Sequence, residues 1–135
     1  MKKSPVTGIS GAIRIVCLSK ADLTNAERHG KRLDETSQAR AISNDPPYTT
    51  TGLDLKKLYR EHVRDAFVPK CKTVAKHIIV QFPMNLVDGE DPAYMLDHAR
   101  RAVEAIFGNQ AIFADRVDRD EAGRNIVDLF VAPRR

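Results

Sequence analysis

Tryptophan is absent and aromatic residues make up only 6% of the chain, so any core must be built chiefly from aliphatic side chains. The two cysteines, Cys17 and Cys71, lie far apart, with no Cys-x-x-Cys or Cys/His ligand spacing around them. That excludes a disulfide-stapled scaffold and a thiolate zinc site, and both thiols are expected to be reduced and in or near the core. No apolar run approaches the roughly 20 residues needed to cross a bilayer. Lys2 and Lys3 are followed by no apolar stretch of signal-peptide length, so a cytoplasmic location is expected. Internal repeats and low-complexity tracts are also missing.

What remains is ordinary globular composition: 42% hydrophobic and 30% charged residues in a chain of 135, enough for one domain over 1–135. Lys and Arg outnumber Asp and Glu by 22 to 18, a net charge of +4 that leans towards polyanions without demanding one.

The β-branched run Ala12 to Leu18 predicts a first, largely buried strand. Ala21 to Ala41 is polar and helical in character but poorly amphipathic, and residues 43–52, with Pro46-Pro47-Tyr48 and three threonines, form the clearest loop. Leu55, Leu58, Tyr59, Val63, Ala66 and Phe67 fall at helical spacing in a segment from Leu53 to Val68 that Pro69 closes. His77 to Pro83 predicts a central strand. Asp91 followed by Pro92 opens a second amphipathic helix that ends before Gly108. Residues 111–118 and 125–132 predict two further strands around a turn near Gly123. A terminal hairpin with helices before and between strands favours α+β, an antiparallel sheet with helices packed on one face.

Ala12-Ile13-Arg14-Ile15, then Lys20, then Asn25-Ala26-Glu27-Arg28-His29-Gly30-Lys31-Arg32 resembles the start of the Mob/Pre family of plasmid mobilisation relaxases. There a strand leads through a lysine-containing turn to a histidine followed three residues later by an arginine, here His29 and Arg32. The family's later His-x-Asp-Glu, turn, and His-x-His strand ending in proline are matched in order by Val117-Asp118-Arg119-Asp120-Glu121, Gly123, and Asp128-Leu129-Phe130-Val131-Ala132-Pro133. The resemblance implies a relaxase (HUH-like) α+β domain with a sheet of about four or five strands. Relaxases of this type are longer, so a fragment, a truncated product or a stand-alone relative is expected.

The family histidines hold a divalent metal that polarises the scissile phosphate. Here Asp118 stands at the first of those positions, and the later pair falls on Asn125, Val127 or Asp128, depending on where one residue is inserted. The resemblance implies single-stranded DNA of a plasmid origin of transfer as partner, and His29 as nucleophile or its activator at the scissile phosphate. Arg28, Lys31, Arg32, Arg119 and Arg124 are the expected phosphate contacts. Asp118 and Asp128, hard oxygen ligands, are the candidates to hold Mn²⁺ or Mg²⁺, with Asp120 and Glu121 nearby. The same carboxylates also read as a solvated turn with Asp118 paired to Arg116, Arg119 or Arg124. Tyr48 is a second candidate nucleophile if its loop is mobile, and Lys70, Lys72 and Lys76 form either a phosphate patch or a linker. His62, His77 and His98 read as core or surface residues. Two other readings stand beside an active relaxase: a DNA-binding domain that has lost its chemistry, and an interaction module unrelated to DNA.

Overall fold

Asp91 caps a helix as its sequence predicts: its carboxylate accepts the Tyr94 N–H at 3.0 Å, Pro92 fills the first turn, and Gly108 ends the helix at φ 101°. The computed structural model describes residues 12–64, 71–83, 91–120 and 124–132. In chain order these form β1 (Ala12–Leu18), α1 (Lys20–Gly30), α2 (Glu35–Arg40), α3 (Leu55–Val63), β2 (Ala75–Gln81), α4 (Pro92–Phe107), β3 (Ile112–Val117) and β4 (Ile126–Val131). The turn expected at Gly123, the helical extension through Ala66 and Phe67, and Lys70 and Glu121 fall outside the described residues.

The sheet is wholly antiparallel in the order β1-β2-β4-β3, the expected α+β arrangement. Helices cover both of its faces rather than one. Met95, Leu96, Ala99 and Val103 of α4 bury against Ile78, Val80, Val117, Val127, Leu129 and Val131. Side chains alternate along a strand, so the intervening residues face the other way. There Leu23 of α1 and Leu55, Leu58 and Tyr59 of α3 pack on Leu18, Ala75, Phe113, Ala114 and Phe130. A register shift between Ile112 and Ala114 lets the adjacent Phe113 and Ala114 both join this second cluster.

The expectation of a buried β1 is corrected. It is an edge strand, α4 lies across β3 and β4, and Ile13 and Ile15 are 54% and 51% exposed. Cys17 and Cys71 are likewise exposed free thiols, not core residues. No helix among the described residues is long and apolar enough to cross a membrane.

Candidate functional site

The α1/α3 layer packs over the Leu18, Ala75, Phe113, Ala114 and Phe130 part of its sheet face. Beyond it the register sets Arg14, Ile79, Asp128 and Arg116 in a row across β1, β2, β4 and β3, next to a row of Val16, His77, Phe130 and Ala114. The C-terminal end of α1 reaches this region. Gly30 is buried there so closely against Arg116 that a Cβ in its place would collide with Nη1 of the guanidinium. A larger residue at this position would have to push the guanidinium aside.

His29 is therefore beside this cluster. Its Nδ1 lies 3.3 Å from Oδ2 of Asp34, the N-cap of α2, and when protonated the ring adds to the lowering of the Asp128 carboxyl. Asp34 also accepts from the Ser37 backbone and hydroxyl. The Ser37 hydroxyl is the largest of the influences that hold Asp34 at about 2, from an ordinary 3.8, with the His29 contact adding to it. A carboxyl lowered on folding stabilises the fold above its unfolded value and stops doing so as pH falls through its folded value. The Asp34 carboxyl is thus expected to titrate with a midpoint near 2 by carbon-detected NMR, with the α2 cap loosening between about pH 4 and 2. A midpoint near 4 in the wild type, or one that Ser37→Ala leaves in place, would contradict the arrangement.

After α1 the chain turns through Arg32 at φ 60°, a left-handed conformation unusual for a side-chain-bearing residue. The turn aims Arg32 back at the sheet. Its Nε and Nη2 meet the two oxygens of Asp120 at 2.8 and 2.6 Å, Nη2 also lies 3.5 Å from Asp118, and Nη1 donates to the His29 carbonyl at 2.9 Å. The Arg32 bonds hold the Asp120 carboxyl below its usual range, against the upward push of burial.

Arg116 comes next in the network. Its Nε is 3.0 Å from Asp118 Oδ1 and its Nη2 3.3 Å from Asp128 Oδ2, with side-chain exposures of 5%, 16% and 9% in the order Arg116, Asp118, Asp128. The other Asp128 oxygen is 2.7 Å from Nε2 of His77, whose ring stacks on Phe130 with centroids 4.4 Å apart. Burial pushes the Asp128 carboxyl up, yet the Arg116 charge and the His77 bond outweigh it and the net shift is downward.

The two carboxylates expected to share a divalent ion do converge, and they converge on Arg116. A metal ion needs the same oxygens without a guanidinium between them, so the side chains as they stand do not fit one. Among the described residues no group of three or more His, Cys, Asp or Glu side chains is arranged to hold a metal ion. The alternative pairing of Asp118 with Arg116 is the geometry present.

The other basic candidates carry internal bonds as well. Arg28 is exposed and donates to the Leu33 carbonyl at 3.0 Å. Lys31 pairs with Glu27 at 3.2 Å and with Asp54 at 2.5 Å, while Glu27 also accepts the Lys56 N–H, tying α1 to the start of α3. Arg124, at φ 59°, reaches Asp45 at 2.6 Å, and Arg119 lies half-buried just after β3. Tyr48 is not in a loose loop: its N–H and C=O pair with Val117 on the outer edge of β3, and its ring packs on the α4 side, away from His29. His62 bonds the Ala132 carbonyl at 2.9 Å, a structural role.

Sequence reasoning missed Asp34, Arg14 and the place of His77. Asp34 carried a signal, an acidic cap five residues after His29; the other two depend on strand register.

No family model matches the chain, and no curated protein matches it in sequence. Solved structures do. A MobM relaxase domain (MOBV; Mob_Pre) bound to plasmid pMV158 oriT DNA, in a Mn-bound crystal structure, aligns at TM-score 0.67 and 17% identity over 90% of this chain and 69% of that one. A second Mn-bound MobM complex gives 0.65 and 15% over the same shares. A MobM domain with a 26-nucleotide oriT DNA gives 0.60 and 12%, over 90% and 67%. At identities of 12 to 17% the likeness is one of fold, and this chain has the fold of those relaxase domains.

Proposed function

We propose that this chain is a relaxase-like domain that binds single-stranded DNA from a plasmid origin of transfer, with His29 acting at the scissile phosphate. The observation that carries the reading is the His29–Asp34 pair, set at the end of α1 beside the charged row of the sheet, on a fold shared with relaxase domains bound to oriT DNA. With its Nδ1–H donated to Asp34, the imidazole keeps the Nε2 lone pair for attack on phosphorus: the P–N bond forms as the scissile P–O bond breaks, the released strand leaves as a hydroxyl after taking a proton from water, and the carboxylate steadies the charge on the ring. Phosphate contacts are assigned to Arg28, Lys31, Arg32, Arg119 and Arg124, and the register adds Arg14. Lys31, Arg32 and Arg124 must share their charge with Asp54, Asp120 and Asp45, so Arg28 and Arg14 carry more of the contact.

The test is incubation with labelled single-stranded transfer-origin DNA, with and without Mn²⁺ or Mg²⁺, resolved on a denaturing gel. A covalent adduct that His29→Ala abolishes is the expected result. Affinity should also fall steeply with salt, with a log–log slope of about 0.7 per phosphate neutralised. Binding without an adduct would replace this reading with that of a relaxase-like DNA-binding domain without chemistry, which the Arg116 contacts favour. No salt-sensitive binding at all would remove DNA as partner and leave the interaction module.

A further inference from the structure

We propose that Arg116 is the resident cation of this site, filling the place between Asp118 and Asp128 and making the chain's contact with a nucleic-acid backbone independent of divalent metal. The DNA clause rests on the function proposed above; the cation does not.

Four features hold the guanidinium in place. Asp118 and Asp128 flank it at 3.0 and 3.3 Å. Gly30 presents bare backbone to it at the C-terminal end of α1, where the carbonyl dipoles favour positive charge. The Phe130 ring lies 5.9 Å from its central carbon. His77 takes the remaining Asp128 oxygen, so both oxygens of that buried carboxylate are engaged. The fit is not perfect: Nε is buried and, though close to Asp118, makes no aligned hydrogen bond. That is the pattern of a charge placed for its neighbours' charges rather than for ideal bonding. An incoming Mn²⁺ would have to displace this arginine into a region already walled by α1 and Phe130, and would meet its repulsion throughout.

The counterpart is a latent cation site. Removing the guanidinium leaves Asp118 and Asp128 flanking the vacated volume, two hard oxygen ligands that a divalent ion can take together with bound water. Arg116→Met removes the charge while keeping an unbranched stem.

Mn²⁺ uptake is followed by the loss of the free-ion EPR signal and by thermal melts, on the full chain without DNA. The wild type is expected to take up no Mn²⁺ at this site and to melt at the same temperature with or without it. Arg116→Met is expected to take up one ion and to melt about 10 °C higher at an ion concentration about 100-fold above Kd. Adding Asp118→Asn should cancel both effects. Wild-type uptake lost on Asp118→Asn would overturn the proposal, as would a folded Arg116→Met that takes up none. Should Arg116→Met not fold, the wild-type titration decides alone. Because DNA is absent, failure here is separable from failure of the DNA reading, which is measured with oligonucleotide in EDTA.

Discussion

Asp115→Ala is expected to cost about 3–5 kcal/mol and to lower Tm by about 10–15 °C. Asp115 sits in edge strand β3, yet its side chain is completely buried. Its Oδ1 accepts from the Thr49 hydroxyl at 2.9 Å and the Thr50 N–H at 2.7 Å, and its Oδ2 accepts from the Thr50 hydroxyl. Arg100 of α4 closes the ring from the other side, with Nε at 3.1 Å and Nη2 at 3.0 Å. One carboxylate thus fastens the threonine loop and the long helix to the same strand. Its loss would leave the Thr50 amide without an acceptor and the half-buried guanidinium with only the longer Glu104 contact at 3.6 Å, and an unmet buried group costs more than a made bond contributes. The loop matters beyond its own bonds, because Tyr48 pairs with Val117 and shields the open edge of β3. Thermal melts of the wild type, Asp115→Ala and Arg100→Ala should rank Asp115→Ala lowest. Arg100 is partly solvated, so its own loss is screened and smaller. A fall of less than about 1 kcal/mol in Asp115→Ala would show the hub to be ornamental.

The three-threonine loop reads from sequence as punctuation, and nothing in Ile112-Phe113-Ala114-Asp115-Arg116-Val117 marks Asp115 as its anchor. The elements themselves were legible where local chemistry decides them. Asp91-Pro92 and Gly108 bracket α4, and apolar spacing finds α3 and β4. Long-range placement was not. Ile13 and Ile15 carry the composition of a buried strand, and only the order β1-β2-β4-β3 shows that α4 never reaches them. His77 meets Asp128 through the pairing of β2 with β4, which sets His77 opposite Phe130 and Asp128 two residues along the same face. Asp118 and Asp128 were expected together and are together. The guanidinium between them comes from a third position, whose side is fixed by the β3–β4 register and whose approach is opened by Gly30. His29 stands out in the sequence only through motif resemblance, whereas its carboxylate partner depends on a left-handed residue, Arg32, that turns the chain back on itself.

Phe130 is where core and site meet, and Phe130→Ala is expected to cost about 3–5 kcal/mol. The ring is fully buried, 6.3 Å from that of Phe113, stacked on His77 at an interplanar angle of 12°, and below the Arg116 guanidinium. Truncation therefore does two separable things. It opens a cavity under α1 and α3, and it removes the surface that holds His77 towards Asp128. Phe130→Leu separates them: it keeps most of the volume, at a cost of about 1–1.5 kcal/mol, while deleting the stacked face. In the wild type the His77 ring protons should be shifted upfield by the ring current of Phe130, and both variants should lose that shift. Only Phe130→Ala should lose several kcal/mol in urea. An unchanged His77 spectrum in Phe130→Leu would mean that Asp128 alone orients the imidazole. A large loss of stability in Phe130→Leu would mean that the stack itself supports the sheet, with the charge network depending on an aromatic ring rather than on volume.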